Sequence, residues 1–294
     1  MKLRVAAARH AVGEPRDFAA FANAIEAGVA VATAQGAQIV VLPEYLALEA
    51  AAMLPAATRG DFARSLAALQ AHHADFLALA RGLARRHGIY LVAGTFLLDI
   101  GGRYRNRAWL AGPEGATAWQ DKLVMTGFER ASGVIEPGDQ LKVFDTAFGR
   151  LAIQVCYDIE FPLHARKQVE AGARLLLVPS CTDTEAGATR VRVGCQARAL
   201  ENQVHVCCAV TAGEARWSPA LDVNTGDAAI YTPIDHGFPA DGIAASAGAG
   251  EAWAIAEVDL DASDALRREG QVANADDWKH QLRPLLARAH VERV

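Results

Sequence analysis

The sequence predicts an α/β fold, and three observations carry that expectation. Apolar residues at helical three- and four-residue steps alternate along the chain with short β-branched runs that lack polar alternation, as strands covered on both faces do. The window "GAQIVVLPE" (36–44) aligns without a gap on "GARLLLVPS" (172–180), each reading as a helix end, a buried strand and a proline stop. With 294 residues, 52% hydrophobic and 21% charged, the chain also has enough apolar mass to bury a core without staples.

The elements follow in order. Phe18, Phe21, Ile25 and Val29 mark one face of a helix capped by Asp17 and ended near Gly36. "QIVVL" (38–42) is a buried strand stopped by Pro43. A helix from about Asp61 to His87 closes at Gly88 and delivers the chain into "IYLVAGT" (89–95), a second buried strand. Gly101-Gly102 reads as a hairpin turn between "TFLLDI" and "RYRNRAWLAG", and "TAWQDK" (117–122) alternates like a further strand. In "KVFDTAFGRLAIQVCYD" two strands flank a turn at Phe148-Gly149, and a helix runs from about Phe161 to Ala171. The paired windows fit two similar halves packed together, and fit equally well a chance likeness of two α/β segments. Residues 217–242 read as long loops around a short strand, "AAIY", and "DDWKHQLRP" as a final helix or arm, placed from about residue 275. No linker composition or charge block divides the chain, so one domain over residues 1–294 is expected.

A net charge of −5 provides no positive field to collect phosphates, which argues against nucleic acid as a principal partner. The five cysteines (156, 181, 195, 207 and 208) are an odd number without a C-x-x-C pair, as suits reduced thiols in a cytoplasm. The opening "MKLRVAAARHAVGE" has too short an apolar run for a signal peptide, and no 18-residue apolar stretch is present to span a membrane. The expected location is therefore cytoplasmic.

Several familiar motifs fail on inspection. "AASAG" (244–248) lacks the first glycine of a nucleophile elbow, and "GAGEAW" (248–253) has Trp253 where a dinucleotide fingerprint needs glycine, so both read as loops. Adjacent Cys207 and Cys208 point to opposite faces of a strand, and His72 and His73 sit side by side on a helix, so no metal site is expected.

Three polar residues instead end apolar strands: Glu44, Lys122 and Cys156. Taken singly, such a Cys is a small buried hydrophobe, and such a Lys or Glu a solvated loop residue. Strand ends of an α/β fold converge on one crevice, where the three together suffice for acyl transfer. Cys156 attacks, Glu44 takes its proton and Lys122 stabilises a tetrahedral oxyanion, with Lys122 expected to favour the thiolate.

The segments "VVLPEY", "DKLVMTGFER" and "GRLAIQVCYDIEFP", in that order and spacing, resemble the nitrilase superfamily of carbon-nitrogen hydrolases, and "GARLLLVPS" and "QARALENQVHV" extend the resemblance. The resemblance implies a four-layer α-β-β-α sandwich, a Glu44-Lys122-Cys156 triad, a thioester intermediate, and hydrolysis of a small amide without cofactor or metal. It implies Glu129 as the glutamate that positions the lysine and substrate, and the Tyr157 N–H as second oxyanion donor. Ser180 and Cys181 are expected to line the same crevice. "YDIEFP" and "PSCTDT" look most like a poorly characterised branch, some members of which carry an acetyltransferase-like domain that is not expected here. Many amidases of the family have arginine where this chain has Glu160, so no substrate preference transfers. The resemblance also implies a homodimer, through the helices flanking "VRVGCQARALENQ" and the C-terminal arm. Nitrile hydrolysis and acyl transfer to an amine are the alternative reactions. A cysteine-histidine hydrolase using His164 or His205, and a partner-binding scaffold, are the alternatives of other classes.

Overall fold

The computed structural model describes residues 1–293. Thirteen strands form one nearly continuous sheet. They are β1 (Lys2–Ala11), β2 (Ile39–Leu42), β3 (Tyr90–Asp99), β4 (Tyr104–Ala111), β5 (Thr117–Asp121), β6 (Phe144–Thr146), β7 (Gly149–Ile153), β8 (Leu175–Ser180), β9 (His205–Glu214), β10 (Val223–Asn224), β11 (Ala228–Tyr231), β12 (Ile243–Ala247) and β13 (Trp253–Asp259). One half runs β5-β4-β3-β2-β1-β13 and the other β6-β7-β8-β9-β11-β12. They join where the end of β1, Arg9 to Ala11, pairs with Val210 to Ala212 of β9.

The halves fold onto each other, with β2 and β3 against β8 and β9. The helices Phe18–Ala34 and His73–His87 pack together on the first half, and Pro162–Glu170 with Glu185–Asn202 on the second. This is the expected four-layer sandwich. The paired windows take equivalent places, because β2 lies between parallel neighbours β1 and β3, and β8 between parallel β7 and β9. Both strands are buried on both faces, as their unbroken apolar runs require.

Local chemistry sets the helix ends. The Asp17 carboxylate accepts the Ala20 N–H at 2.7 Å, and Gly88 closes its helix in the left-handed conformation at φ +64°. The expected helix 61–87 is broken by a 3-10 turn at Gln70–His72, which separates Phe62–Leu69 from His73–His87. "AASAG" is not a loop: most of it belongs to β12, whose alternate side chains face solvent. "DDWKHQLRP" continues a short helix, Asn274–Asp277, into 3-10 turns, and Ala275 is tied to the second half through its carbonyl on Arg166 at 2.8 Å. Among the described residues no helix is long and apolar enough to cross a membrane.

One irregularity in β3 prepares the site. The register with β4 shifts between Val92 and Thr95, and Gly94 there has φ +64°. A Cβ at Gly94 meets the Pro43 carbonyl oxygen at 2.1 Å and the Leu46 Cβ at 2.8 Å, so only glycine lets the chain after β2 lie this close. Thr95 Oγ1 then accepts the Tyr45 N–H at 2.8 Å. Gly94→Ala is expected to destabilise by at least ~2 kcal/mol, from the left-handed φ and the overlap together, and to lower turnover. Gly82→Ala, in open space inside a helix, is expected to stabilise by about 0.5–1 kcal/mol. Urea unfolding of the two variants checks both signs.

Candidate active site

Glu44 follows β2 after Pro43, and Tyr45 beside it adopts φ +60°, which turns the chain sharply away from the strand. One carboxylate oxygen of Glu44 accepts from Lys122 Nζ at 2.9 Å and Asn106 Nδ2 at 2.8 Å, and the other accepts the Cys181 N–H at 3.0 Å. Lys122, at the end of β5, also reaches Glu129 Oε2 at 2.8 Å. Glu129 accepts in addition from the Tyr45 hydroxyl at 3.0 Å, from Asn106 Nδ2 at 3.2 Å and from the Thr126 N–H at 2.8 Å, the last closing a capping box with Thr126. Glu44 and Lys122 are each 1% exposed and Glu129 is wholly buried. Arg130 does not pair with Glu129; it caps the Met125 carbonyl.

Cys156 comes from the opposite half, just beyond β7, at φ +48°. Such a conformation costs an L-residue energy and persists where the surroundings hold it. Cys156 begins a 3-10 turn, Cys156–Glu160, whose first N–H groups, that of Tyr157 included, have no acceptor within the turn. Its Sγ donates to the Cys181 carbonyl at 3.4 Å, and the Cys181 N–H donates in turn to Glu44 at 3.0 Å, so thiol and carboxylate share one neighbour. Asp158 in the same turn is buried and accepts the N–H groups of Leu123 and Val124, which follow Lys122.

A cavity of about 250 Å³ opens on Glu44, Lys122 and Cys156. Tyr45, Phe128, Tyr157 and Val191 supply apolar walls, and Glu160, Asp183, Asp222 and Arg190 stand among its charged lining residues. Arg190 is paired with Glu160 at 3.4 Å. Cys181 lines this cavity. Ser180 does not; it faces a neighbouring space of about 340 Å³ with Arg9 and Arg192, and its hydroxyl has no hydrogen-bond partner.

Burial shifts every charge here, and the shifts differ in direction. Burial raises the Glu44 carboxyl above its ordinary range; Lys122 opposes the shift and Glu129 adds to it. Burial acts on Glu129 too, but the Lys122 charge and the bonds from Lys122, Thr126 and Tyr45 outweigh it and leave this carboxyl below its ordinary range. Burial pulls on Lys122, yet the two carboxylates hold it well above the usual value for lysine. The Cys156 thiol is pushed well up by burial and by Glu44, and Lys122 only partly offsets them. Lys122 does favour the thiolate, as expected, but burial and Glu44 outweigh it, so the balance in the folded protein favours the protonated thiol. Two carboxylates with unlike proton affinity around one ammonium form the arrangement in which the raised one exchanges protons and the lowered one holds charge.

The structure thus brings together Glu44, Lys122, Glu129, Cys156, Tyr157 and Cys181. Neither His164 nor His205 lines the cavity; His205 sits in β9, with burial lowering its pKa to about 4. Asn106 was missed by sequence reasoning, although it bridges both carboxylates. Its one signal was an inward position in the alternating strand "RYRNRAWLA". Tyr45 and Asp158 were quoted in motifs without a role. Among the described residues no group of three or more His, Cys, Asp or Glu side chains is placed to hold a metal ion.

Comparison with known proteins gives a consistent set. The profile of the carbon-nitrogen hydrolases matches residues 4–268. The probable hydrolase YhcX of Bacillus subtilis (strain 168) is 31% identical over 283 residues, which cover 95% of this chain and 54% of YhcX, so the chain spans about half the length of that relative. The omega-amidase NIT2-A of Xenopus laevis is 31% identical over 186 residues, 60% of this chain and 64% of its own. Among solved structures, a mutant of the Nesterenkonia AN1 amidase from the nitrilase superfamily aligns at 25% identity with a TM-score of 0.68, covering 91% of this chain and 94% of that one. Nit3 of Saccharomyces cerevisiae, at 22% identity, shares the fold with a TM-score of 0.73 over 91% of this chain and 93% of its own.

Five thiols in different surroundings give the site a chemical test. Cys156 has an acid and an amine beside it. Burial and Glu44 raise both this thiol and that of Cys181, the latter to about 12, but Cys181, which lines the same cavity, donates its thiol to Asn224 Oδ1 at 3.4 Å. Cys195, Cys207 and Cys208 are buried. Limiting iodoacetamide is expected to label Cys156 first and Cys181 at least ~10-fold more slowly, as read by peptide mapping; loss of activity that tracks Cys181 labelling contradicts this.

Proposed function

The chain belongs to the carbon-nitrogen hydrolase family, as an amidase-like enzyme, and we propose that it hydrolyses the C–N bond of a small amide through a thioester on Cys156. The observation that carries this reading is that Cys156, Lys122 and the Glu44 carboxylate that holds the Lys122 ammonium at 2.9 Å open on one cavity, with Cys181 hydrogen-bonded to both the thiol and the carboxylate.

The steps follow from the charges. Cys156 Sγ attacks the amide carbon while its proton passes to Glu44, and the carbonyl electron pair moves onto oxygen. The proton transfer leaves the net charge of the buried cluster unchanged, so no charge enters or leaves the protein interior. The new oxyanion is stabilised by the Lys122 ammonium and the Tyr157 N–H, which bear on the transition state far more than on the neutral amide. Collapse breaks the C–N bond, and the proton on Glu44 leaves with the amine or ammonia. Water then attacks the thioester, gives its proton to Glu44, and a second collapse frees the acid and the thiol. Glu129 and Asn106 touch no reacting atom in this scheme; they hold Lys122 and Glu44 in place.

Lys122→Met is expected to lower turnover of an amide substrate by at least ~100-fold, and Lys122→Arg is not expected to restore it, because a fully buried site has no room for a planar guanidinium. Breaking a buried ion pair costs about 3–5 kcal/mol, so ammonia release is compared at a temperature where circular dichroism shows the variant folded. Normal turnover in folded Lys122→Met reassigns the lysine to structure.

The mouth of the cavity sets an expectation about substrate charge. Three carboxylates stand there against Arg190, which is already engaged by Glu160. Among amides of one chain length ending in methyl, ammonium or carboxylate, kcat/KM for the carboxylate is expected to be the lowest, at least ~10-fold below the others, from like-charge repulsion on entry. A carboxylate-bearing amide turned over best contradicts this.

A further inference from the structure

We propose that Asp158 is a positioning residue that fixes the separation of the two oxyanion-stabilising groups, the Lys122 ammonium and the Tyr157 N–H. The inference rests on the mechanism above, in which those two groups share the charge of the tetrahedral intermediate.

The two donors come from opposite halves of the molecule and are anchored separately. The Lys122 backbone is fixed to β4 through its N–H on the Asn106 carbonyl at 2.9 Å. The segment before Cys156 is fixed to β8 through the Gln154 N–H on the Leu177 carbonyl at 3.0 Å. Asp158 links them. Its carboxylate accepts the Leu123 N–H at 3.1 and 3.0 Å on its two oxygens and the Val124 N–H at 2.8 Å. Among the described residues these are the hydrogen bonds that join segment 122–126 to segment 155–160.

The link is short at both ends. Leu123 is the residue after Lys122, and Tyr157 the residue before Asp158, so any slack in the Asp158 bonds becomes a change in the gap between the donors. The chemistry of the acceptor fits that task. Asp158 is 1% exposed and among the described residues forms no ion pair; burial raises its carboxyl to about 7, against the backbone donors Leu123 and Val124 and the Lys122 charge, so its lone pairs are directed to backbone donors. An amide in its place can keep its oxygen on both N–H groups only by setting its NH₂ about 3.0 Å from the Leu123 N–H, donor against donor, which pushes the segment away. Oxyanion donors must lie within a few tenths of an ångström of hydrogen-bond distance, so a small drift weakens the transition state and leaves ground-state binding alone.

The test separates this role from that of a general fold prop. For Asp158→Asn, kcat on an amide substrate is expected to fall at least ~30-fold while KM stays within about 3-fold of wild type. Alkylation of Cys156 by iodoacetamide is also expected to stay within about 3-fold, because displacement at a saturated carbon develops no oxyanion while still requiring Glu44 and the thiol. Asp158→Glu keeps a carboxyl acceptor displaced by one methylene, and the same split, smaller in size, is expected from it if the Asn variant does not fold. A folded variant with wild-type kcat overturns the inference, and so does a parallel loss of turnover and alkylation. If neither variant folds, Asp158 is a residue of the fold and the proposal falls. Cys156→Ala run alongside isolates the underlying reading: retained turnover there removes the nucleophile itself, independently of what Asp158 does.

Discussion

Lys122 lies between Glu44 and Glu129 with all three side chains removed from water, and such a group holds only while nearly every lone pair and proton finds a partner. The neighbours supply them: Asn106 to both carboxylates, the Tyr45 hydroxyl and Thr126 N–H to Glu129, and the Cys181 N–H to Glu44. Because one positive charge serves two negative ones, the cluster carries an excess negative charge that burial resists. The excess falls unequally. Glu129 has more donors and stays ionised, which leaves Glu44 as the group whose charge is cheapest to remove.

Backbone geometry follows from the same requirement. Tyr45 and Cys156 are two of the three non-glycine residues with positive φ among the described residues, and each stands where a buried strand reverses into the site. The bulge at Gly94 and Thr95 leaves room for the first reversal and bonds to it. Helix Glu185–Asn202 packs against the second. The strain at these positions is balanced by the packing of both halves.

Much of this was legible in the sequence because the informative residues interrupt apolar runs. Glu44, Lys122 and Cys156 each end a strand whose pattern is plain, and the likeness of "GAQIVVLPE" to "GARLLLVPS" reports two strands that do occupy equivalent places. The residue after each proline even joins one contact region, since Glu44 accepts from Cys181, the neighbour of Ser180. Asn106 was hidden because an inward polar residue in an alternating strand says nothing about which carboxylates, remote in sequence, lie opposite it. Ser180 lines the space adjoining the cavity, because strand alternation fixes that a residue is buried, while the twist of the sheet decides which space it faces. "AASAG" misled because its small residues carry turn propensity, while β11 beside it supplies the pairing that makes it a strand.

Glu44, Lys122 and Glu129 belong to one half of the sandwich and Cys156, Asp158 and Cys181 to the other, so the cluster meets across the seam between the two halves of the sheet, which among the described residues are hydrogen-bonded to each other at the end of β1. Protein interiors are close-packed and nearly incompressible, and they relax only partly around a void. The spacing of Glu44 and Cys156 is then a property of the whole seam: it is set by how the buried side chains that β2 and β8 turn toward each other fill the space between them. The apolar core acts as a spacer block with a tolerance finer than a methyl group. Sequence drift along the seam is therefore constrained by catalysis as well as by stability, and two substitutions that each preserve the fold can still detune the enzyme by moving one sheet relative to the other.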